Sequence, residues 1–172
     1  MKLRKKEVSE EKNSTDIFKL VFRTLHPEVS FGTVFLLEPD DQIRSFLKRA
    51  FDLHNITCSD FSSGEELIKG LDFFPFPILR DKRVGYVIIL DITSNETNGY
   101  ELCKMIKLNP ELKDLPVFFI VSEFSEIEKH LEETKANNYI IKPFHFKDLL
   151  HIIAKYLYKE DSYYYQIIGM EE

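Results

Sequence analysis

The stretch "GYVIILDITSNETNGYELCKMIK", residues 85–107, decides how the rest of the chain is read. From Tyr86 to Leu90 every residue is apolar, and the run then stops on a single acid, Asp91. An unbroken apolar run of this kind predicts a strand buried on both faces, as in a parallel sheet. A polar loop follows, and Gly99 opens a segment with helical spacing of its apolar residues, which Pro110 stops. In such sheets ligands gather at the carboxyl ends of the strands. Asp91 is therefore expected at the rim, where a carboxylate reaches water and other charged groups.

The same unit repeats on either side. "TVFLL", 33–37, ends at "EPDD", and Ile43, Phe46, Leu47, Ala50 and Phe51 then follow on one predicted helical face. "ITCSDF", 56–61, precedes "SSGEEL", 62–67, a capping-box pattern in which Ser62 or Ser63 stands three residues before a Glu. "PVFFIV", 116–121, is a further buried strand, and a helix over 125–135 presents Ile127 and Leu131. "NYII", 138–141, is the last strand, and Leu149, Leu150, Ile153 and Leu157 form the core face of a helix over 147–157. Strands alternating with amphipathic helices imply an α/β fold, a doubly wound five-stranded parallel sheet covered on both faces. Glu38, Asp91 and Lys142 each fall at or just beyond the end of a different strand.

Around this body, residues 32–158, the chain carries an N-terminal extension, 1–31, and a tail, 159–172. Ile17, Phe18, Val21, Phe22 and Leu25 lie at helical spacing before Pro27 and predict a short amphipathic helix. Its apolar face is expected to dock on its own domain or to pair two chains in a homodimer through residues 14–25. Residues 72–85 are a Pro-interrupted loop that covers the second helix or docks a partner. "SYYYQII", 162–168, is either a partner segment or a tail packed on the body.

Composition narrows the function. A chain of 172 residues with 44% hydrophobic and 30% charged residues suits one globular domain with additions. A net charge of -6 argues against a nucleic-acid-binding face, which needs clustered Lys and Arg. The basic group Lys2, Arg4, Lys5 and Lys6 is soon interrupted by Glu7, Glu10 and Glu11 and reads as a solvated tail. Cys58 and Cys103 lack metal-type spacing and read as buried free thiols in a reducing compartment. His26, His145 and His151 have no metal spacing either, and are expected to face solvent. No apolar run is long enough to span a bilayer and no signal peptide opens the chain. The expectation is a cytoplasmic protein with neither membrane nor nucleic-acid partner.

Four stretches in order, "VFLLEPDDQIRSFLKRAF", "VIILDITSNETNGYELCKMIK", "LPVFFIVS" and "NNYIIKPFHFKDLLHIIAKYL", resemble the receiver domain of bacterial two-component response regulators. The resemblance covers about residues 32–158. It implies the flavodoxin-like strand order 2-1-3-4-5. In that family an Asp at the end of the third strand accepts a phosphoryl group from a histidine kinase or phosphotransfer protein, and Asp91 matches it. The family holds Mg²⁺ with the acceptor, an acid pair after the first strand and a backbone carbonyl. Here Glu38 matches the first acid and Thr93 supplies the carbonyl, with Asp40 a further candidate. Lys142 matches the Lys that pairs with phosphoryl oxygens, the bond to Pro143 matches a cis peptide, and Tyr139 matches the switch aromatic.

The departures are specific. Pro39 stands at the second acid, which implies a weakened Mg²⁺ site. Val121 stands where the family carries a hydroxyl, with Ser122 beside it, and Asn95 replaces a Pro in the loop after Asp91. Two readings stay open: a stand-alone phosphoacceptor switch acting on an unknown downstream protein, and a degenerate receiver that binds a partner without phosphorylation. Retention of Glu38, Asp91 and Lys142 favours the first, and Pro39 and Val121 favour the second. A third reading, an Asp-nucleophile phosphatase, needs an acid two residues past the nucleophile. Thr93 occupies that position and does no acid catalysis near neutral pH.

Overall fold

Each apolar run forms a strand, and each strand leads into a helix. The computed structural model describes residues 32–74, 85–93, 98–122 and 126–157. Its elements are β1 (Gly32–Leu37), α1 (Asp41–Leu53), β2 (Thr57–Phe61), α2 (Gly64–Phe73), β3 (Gly85–Asp91), α3 (Gly99–Leu108), β4 (Val117–Val121), α4 (Ile127–Thr134), β5 (Asn138–Ile141) and α5 (Phe146–Leu157). All strand pairs are parallel, in the order β2-β1-β3-β4-β5. The doubly wound flavodoxin-like expectation holds. The predicted helix over 14–26 with its homodimer face, the 159–172 tail, residues 75–84 of the long loop, and Asn95 lie outside the described residues.

Side-chain alternation along the strands builds two cores. On one face Val34, Leu36, Val87, Ile89, Phe118 and Ile120 meet Leu47 and Phe51 of α1 and Leu149, Ile153, Ala154 and Leu157 of α5. On the other, Phe35, Leu37, Ile88, Leu90 and Phe119 meet Leu67 and Leu71 of α2, Leu102 and Ile106 of α3 and Ile127 of α4. Burying each such large side chain stabilises the fold by about 1.5–3 kcal/mol. Cys58 and Cys103 are free and buried. Burial pushes the Cys58 thiol up to about 12 and raises Cys103 as well, so both stay protonated.

Two details differ from the sequence pattern. Phe46, expected on the core face of α1, is 62% exposed. The buried stripe is centred on Leu47 and Phe51, and Phe46 sits about 100° around the helix from Leu47. The α2 cap uses both serines: Ser63 Oγ accepts from Glu66 N at 3.3 Å, and Ser62 N donates to Glu66 Oε2 at 2.9 Å.

The last turn of α5 rests on two register-paired glycines, Gly32 and Gly85, at the starts of β1 and β3. A Cβ at Gly85 would stand 1.9 Å from the Tyr156 carbonyl oxygen, whereas one at Gly32 meets the Leu157 side chain at 2.7 Å. A side chain rotates away more readily than backbone. Gly85→Ala is therefore expected to lower stability by about 1–3 kcal/mol, read as the urea unfolding midpoint, and Gly32→Ala to cost less. Equal midpoints for Gly85→Ala and the parent chain would contradict this packing.

Candidate functional site

Three strand ends converge at the carboxyl edge of the sheet. β1 leads into Glu38, whose side chain is almost fully buried. The turn behind it is fixed by local hydrogen bonds. Asp40 N donates to Glu38 Oε1 at 3.0 Å, and Arg44 Nη1 donates to the carbonyls of Glu38 at 2.8 Å and Pro39 at 3.2 Å. Arg44 also pairs with Asp41 and with Asp60 of β2. Asp40 itself faces the start of α1, where its Oδ1 accepts from the backbone N–H groups of Gln42 and Ile43 at 2.9 Å. It is an N-cap, which satisfies two donors that a helix start leaves open. The structure does not bring its Oδ1 to the Glu38–Asp91 pair.

β3, the central strand, ends on Asp91. The expectation that this carboxylate reaches water is corrected: Asp91 is wholly buried. It does meet charged and polar groups, and these cover it. Thr93 donates to Asp91 Oδ1 twice, from its backbone N at 2.8 Å and from Oγ1 at 2.6 Å. Lys142 follows β5 directly, and its backbone N donates to the Val121 carbonyl at 2.7 Å. The Lys142–Pro143 peptide is cis. The Lys142 ammonium donates to Glu38 Oε2 at 3.1 Å and to Asp91 Oδ2, and lies 3.5 Å from Thr93 Oγ1. Glu38, Asp91, Thr93 and Lys142 thus form one cluster drawn from three strands.

The cluster holds two carboxylates against one ammonium in a buried setting. Burial, and then the neighbouring Asp91 carboxyl, raise Glu38 to about 7, despite the Asp40 N–H and Lys142. Burial pushes Asp91 upward too, but hydrogen bonds from Glu38, Lys142 and Thr93 outweigh it and hold Asp91 below its ordinary value. Lys142 is raised: burial lowers it, and the two acids more than compensate. The centre is therefore short of positive charge. Among the described residues no group of three or more His, Cys, Asp and Glu side chains gathers to hold a metal.

Val121, whose carbonyl accepts from Lys142 N, adjoins this cluster. Val121 and Tyr139 sit in the second core layer with Phe119 and Ile141, and Tyr139 is half-buried as the register partner of Phe119. Ser122, just past β4, is exposed, as are His145 and His151. Two contributors escaped the sequence reading. Arg44 gave no signal, because a single Arg on a helix flank is unremarkable. The Thr93 hydroxyl had one: a short polar residue two positions after an Asp at a strand end is the pattern of an Asx turn.

Glu38 makes the stability depend on pH. Its folded value is raised, so the folded protein holds a proton that the unfolded chain releases above the ordinary carboxylate range. Its effect is nil at low pH, grows from the ordinary Glu value upward, and is complete above about pH 7 as a destabilisation on the order of 1–3 kcal/mol. With divalent cations chelated, the parent chain should lose more stability between pH 5 and pH 8 than Glu38→Gln, measured by urea unfolding. Parallel pH profiles for the two proteins would refute the raised carboxyl.

A family model of the response regulator receiver domain matches residues 34–154. The chain is 32% identical over 132 residues to the transcriptional regulatory protein CssR of Bacillus subtilis, covering 74% of this chain and 53% of that protein. It is 29% identical over 128 residues to the two-component response regulator ORR3 of Oryza sativa, covering 72% of this chain and 91% of that protein. For CssR, and for AfsQ1 of Streptomyces coelicolor at 44%, the chain spans about half of the relative's length. In fold it is similar to the chemotaxis protein CheY4 of Vibrio cholerae, with a TM-score of 0.63 at 20% identity over 73% of this chain and 98% of that one. It is also similar to the receiver domain of a sensor histidine kinase from Pseudomonas aeruginosa, whose structure has a magnesium ion coordinated in the active site cleft. There the TM-score is 0.57 at 13% identity, over 73% of this chain and 96% of that one. With a matching family model over most of the described body, and five strands in the order that its motifs imply, the chain belongs to the response regulator receiver domain family.

Proposed function

We propose that this protein is a phosphoacceptor switch in two-component signalling and that Asp91 receives the phosphoryl group. The observation that carries this reading is the buried Asp91 carboxylate at the centre of the sheet rim, held between Lys142 and Thr93 with Glu38 beside it. A purely structural module has no use for two buried acids competing for one ammonium, because leaving such charge undercompensated costs stability. The donor is a histidine kinase or phosphotransfer protein, and the downstream target is a protein. We place this exchange in the cytoplasm. No helix among the described residues is long and apolar enough to cross a membrane.

The carboxylate is the nucleophile. One Asp91 oxygen attacks phosphorus, the bond from phosphorus to the donor breaks, and the leaving group departs with the bonding pair and takes up a proton. Lys142 pairs with the transferred phosphoryl oxygens. Glu38, Asp91 and the Thr93 carbonyl are oxygen donors suited to Mg²⁺, which commonly takes only one or two carboxylates and keeps several waters. The shortage of positive charge at Glu38 fits such a cation. When bound, it supplies neutralisation of the charge on the transferring group. Asp40 is secondary in this set, since its Oδ1 caps α1.

Pro39 and Val121 favour the second reading, a receiver that binds its partner without phosphorylation. The test separates the two. Incubation with radiolabelled acetyl phosphate and Mg²⁺ should label the protein, and Asp91→Asn should abolish the label while leaving the fold intact. Label that persists in Asp91→Asn would refute Asp91 as acceptor, and absence of label in the parent chain would favour the second reading. Pro39→Asp adds a charged oxygen at the turn and should tighten Mg²⁺ binding, read by titration followed by NMR. Unchanged affinity would mean that position 39 lies outside the metal's reach.

A further inference from the structure

The two oxygens of Asp91 are not equivalent. Oδ1 accepts twice from Thr93, whereas Oδ2 accepts from the Lys142 ammonium, and Glu38 also bonds the carboxylate. The side chain on Lys142 is long and ends in a rotatable point charge, while the Thr93 backbone N–H is fixed by the turn. Oδ2 is therefore the oxygen that can be uncovered for attack, and Oδ1 the one held in place. Thr93 Oγ1 also stands 3.5 Å from the Lys142 ammonium. A phosphoryl group that joins Oδ2 and draws Lys142 onto one of its oxygens comes within reach of that hydroxyl.

We propose that Thr93 supplies, from the turn after β3, the phosphoryl-binding hydroxyl that β4 cannot provide through Val121. This rests on the phosphoacceptor reading above. In the acceptor state Thr93 Oγ1 donates to Asp91 Oδ1 and selects Oδ2 as nucleophile. When Oδ2 has attacked phosphorus and the leaving group has departed with its electron pair, Oδ1 becomes the carbonyl oxygen of an acyl phosphate and loses its charge. The hydroxyl then has a better acceptor in the adjacent phosphoryl oxygen, since hydrogen bonds to ionised acceptors are the stronger ones. The backbone N–H of Thr93 stays on Oδ1. Val121 is the residue after Ile120, the register partner of Asp91, and so ends the neighbouring strand at the same edge. Its side chain carries no donor, so among these neighbours the hydroxyl at Thr93 takes the role alone.

The experiment uses the full chain with Mg²⁺ and beryllofluoride, an acyl-phosphate mimic, and follows affinity by backbone NMR at Asp91 and Lys142. Thr93→Val keeps the shape and the N–H but removes the hydroxyl, and should weaken binding by at least about tenfold. Thr93→Ser should restore parental affinity, and Thr93→Val combined with Val121→Thr should recover most of it from the neighbouring strand. Thermal melts of all variants verify that the fold is retained. Parental affinity in Thr93→Val would overturn the proposal, as would a double variant no tighter than Thr93→Val. A parent chain that gives no response at all would instead bring down the phosphoacceptor reading, and this proposal with it.

Discussion

One ammonium, that of Lys142, serves two buried carboxylates, and the rim of the sheet is arranged around that shortage. Buried charges are tolerated when paired and hydrogen-bonded, and this cluster meets that condition only partly. Glu38 keeps an elevated affinity for a proton as a result, while Asp91 stays ionised through its hydrogen bonds. The rest of the architecture brings these groups together from distant parts of the sequence. β1 and β5 lie on either side of β3, separated from each other by β3 and β4, so that Glu38 and Lys142 reach Asp91 from opposite flanks. Arg44 pins the β1–α1 turn from behind, and the backbone bond from Lys142 to Val121 pins the other side.

The fold was legible because its signals are local and repeated. The apolar runs at 33–37, 86–90 and 116–121 are too continuous for half-exposed strands, and each leads into a helix with an apolar stripe. The boundaries of α3 and β5 follow directly from Gly99, Pro110 and the short run "NYII". Phe46 misled because the i, i+3, i+4 pattern admits it, while tertiary packing rotates the buried stripe toward Leu47 and Phe51.

The site was legible in its charged members and obscure in its supports. Glu38, Asp91 and Lys142 stand out because an acid or a Lys at the end of an apolar strand is conspicuous. The burial of Glu38 and Asp91 was not readable: a strand end is normally wet, and here Lys142 and Thr93 close over Asp91. Asp40 illustrates the reverse case. An acid beside a metal-type position looks like a ligand in sequence, and what the sequence pattern did not show is that one of its oxygens, Oδ1, caps the open N–H groups of the first helical turn.

The glycine pair beneath α5 has a consequence for how this body joins the rest of its chain. Gly32 and Leu157 touch, so the first residue of β1 and the last of α5 lie side by side. Polypeptide entering and leaving the body does so through one doorway, at the pole where the strands begin. The acidic rim lies at the opposite pole, roughly 20 Å away along the strands. Such a unit can be spliced into a longer chain without prying its neighbours apart.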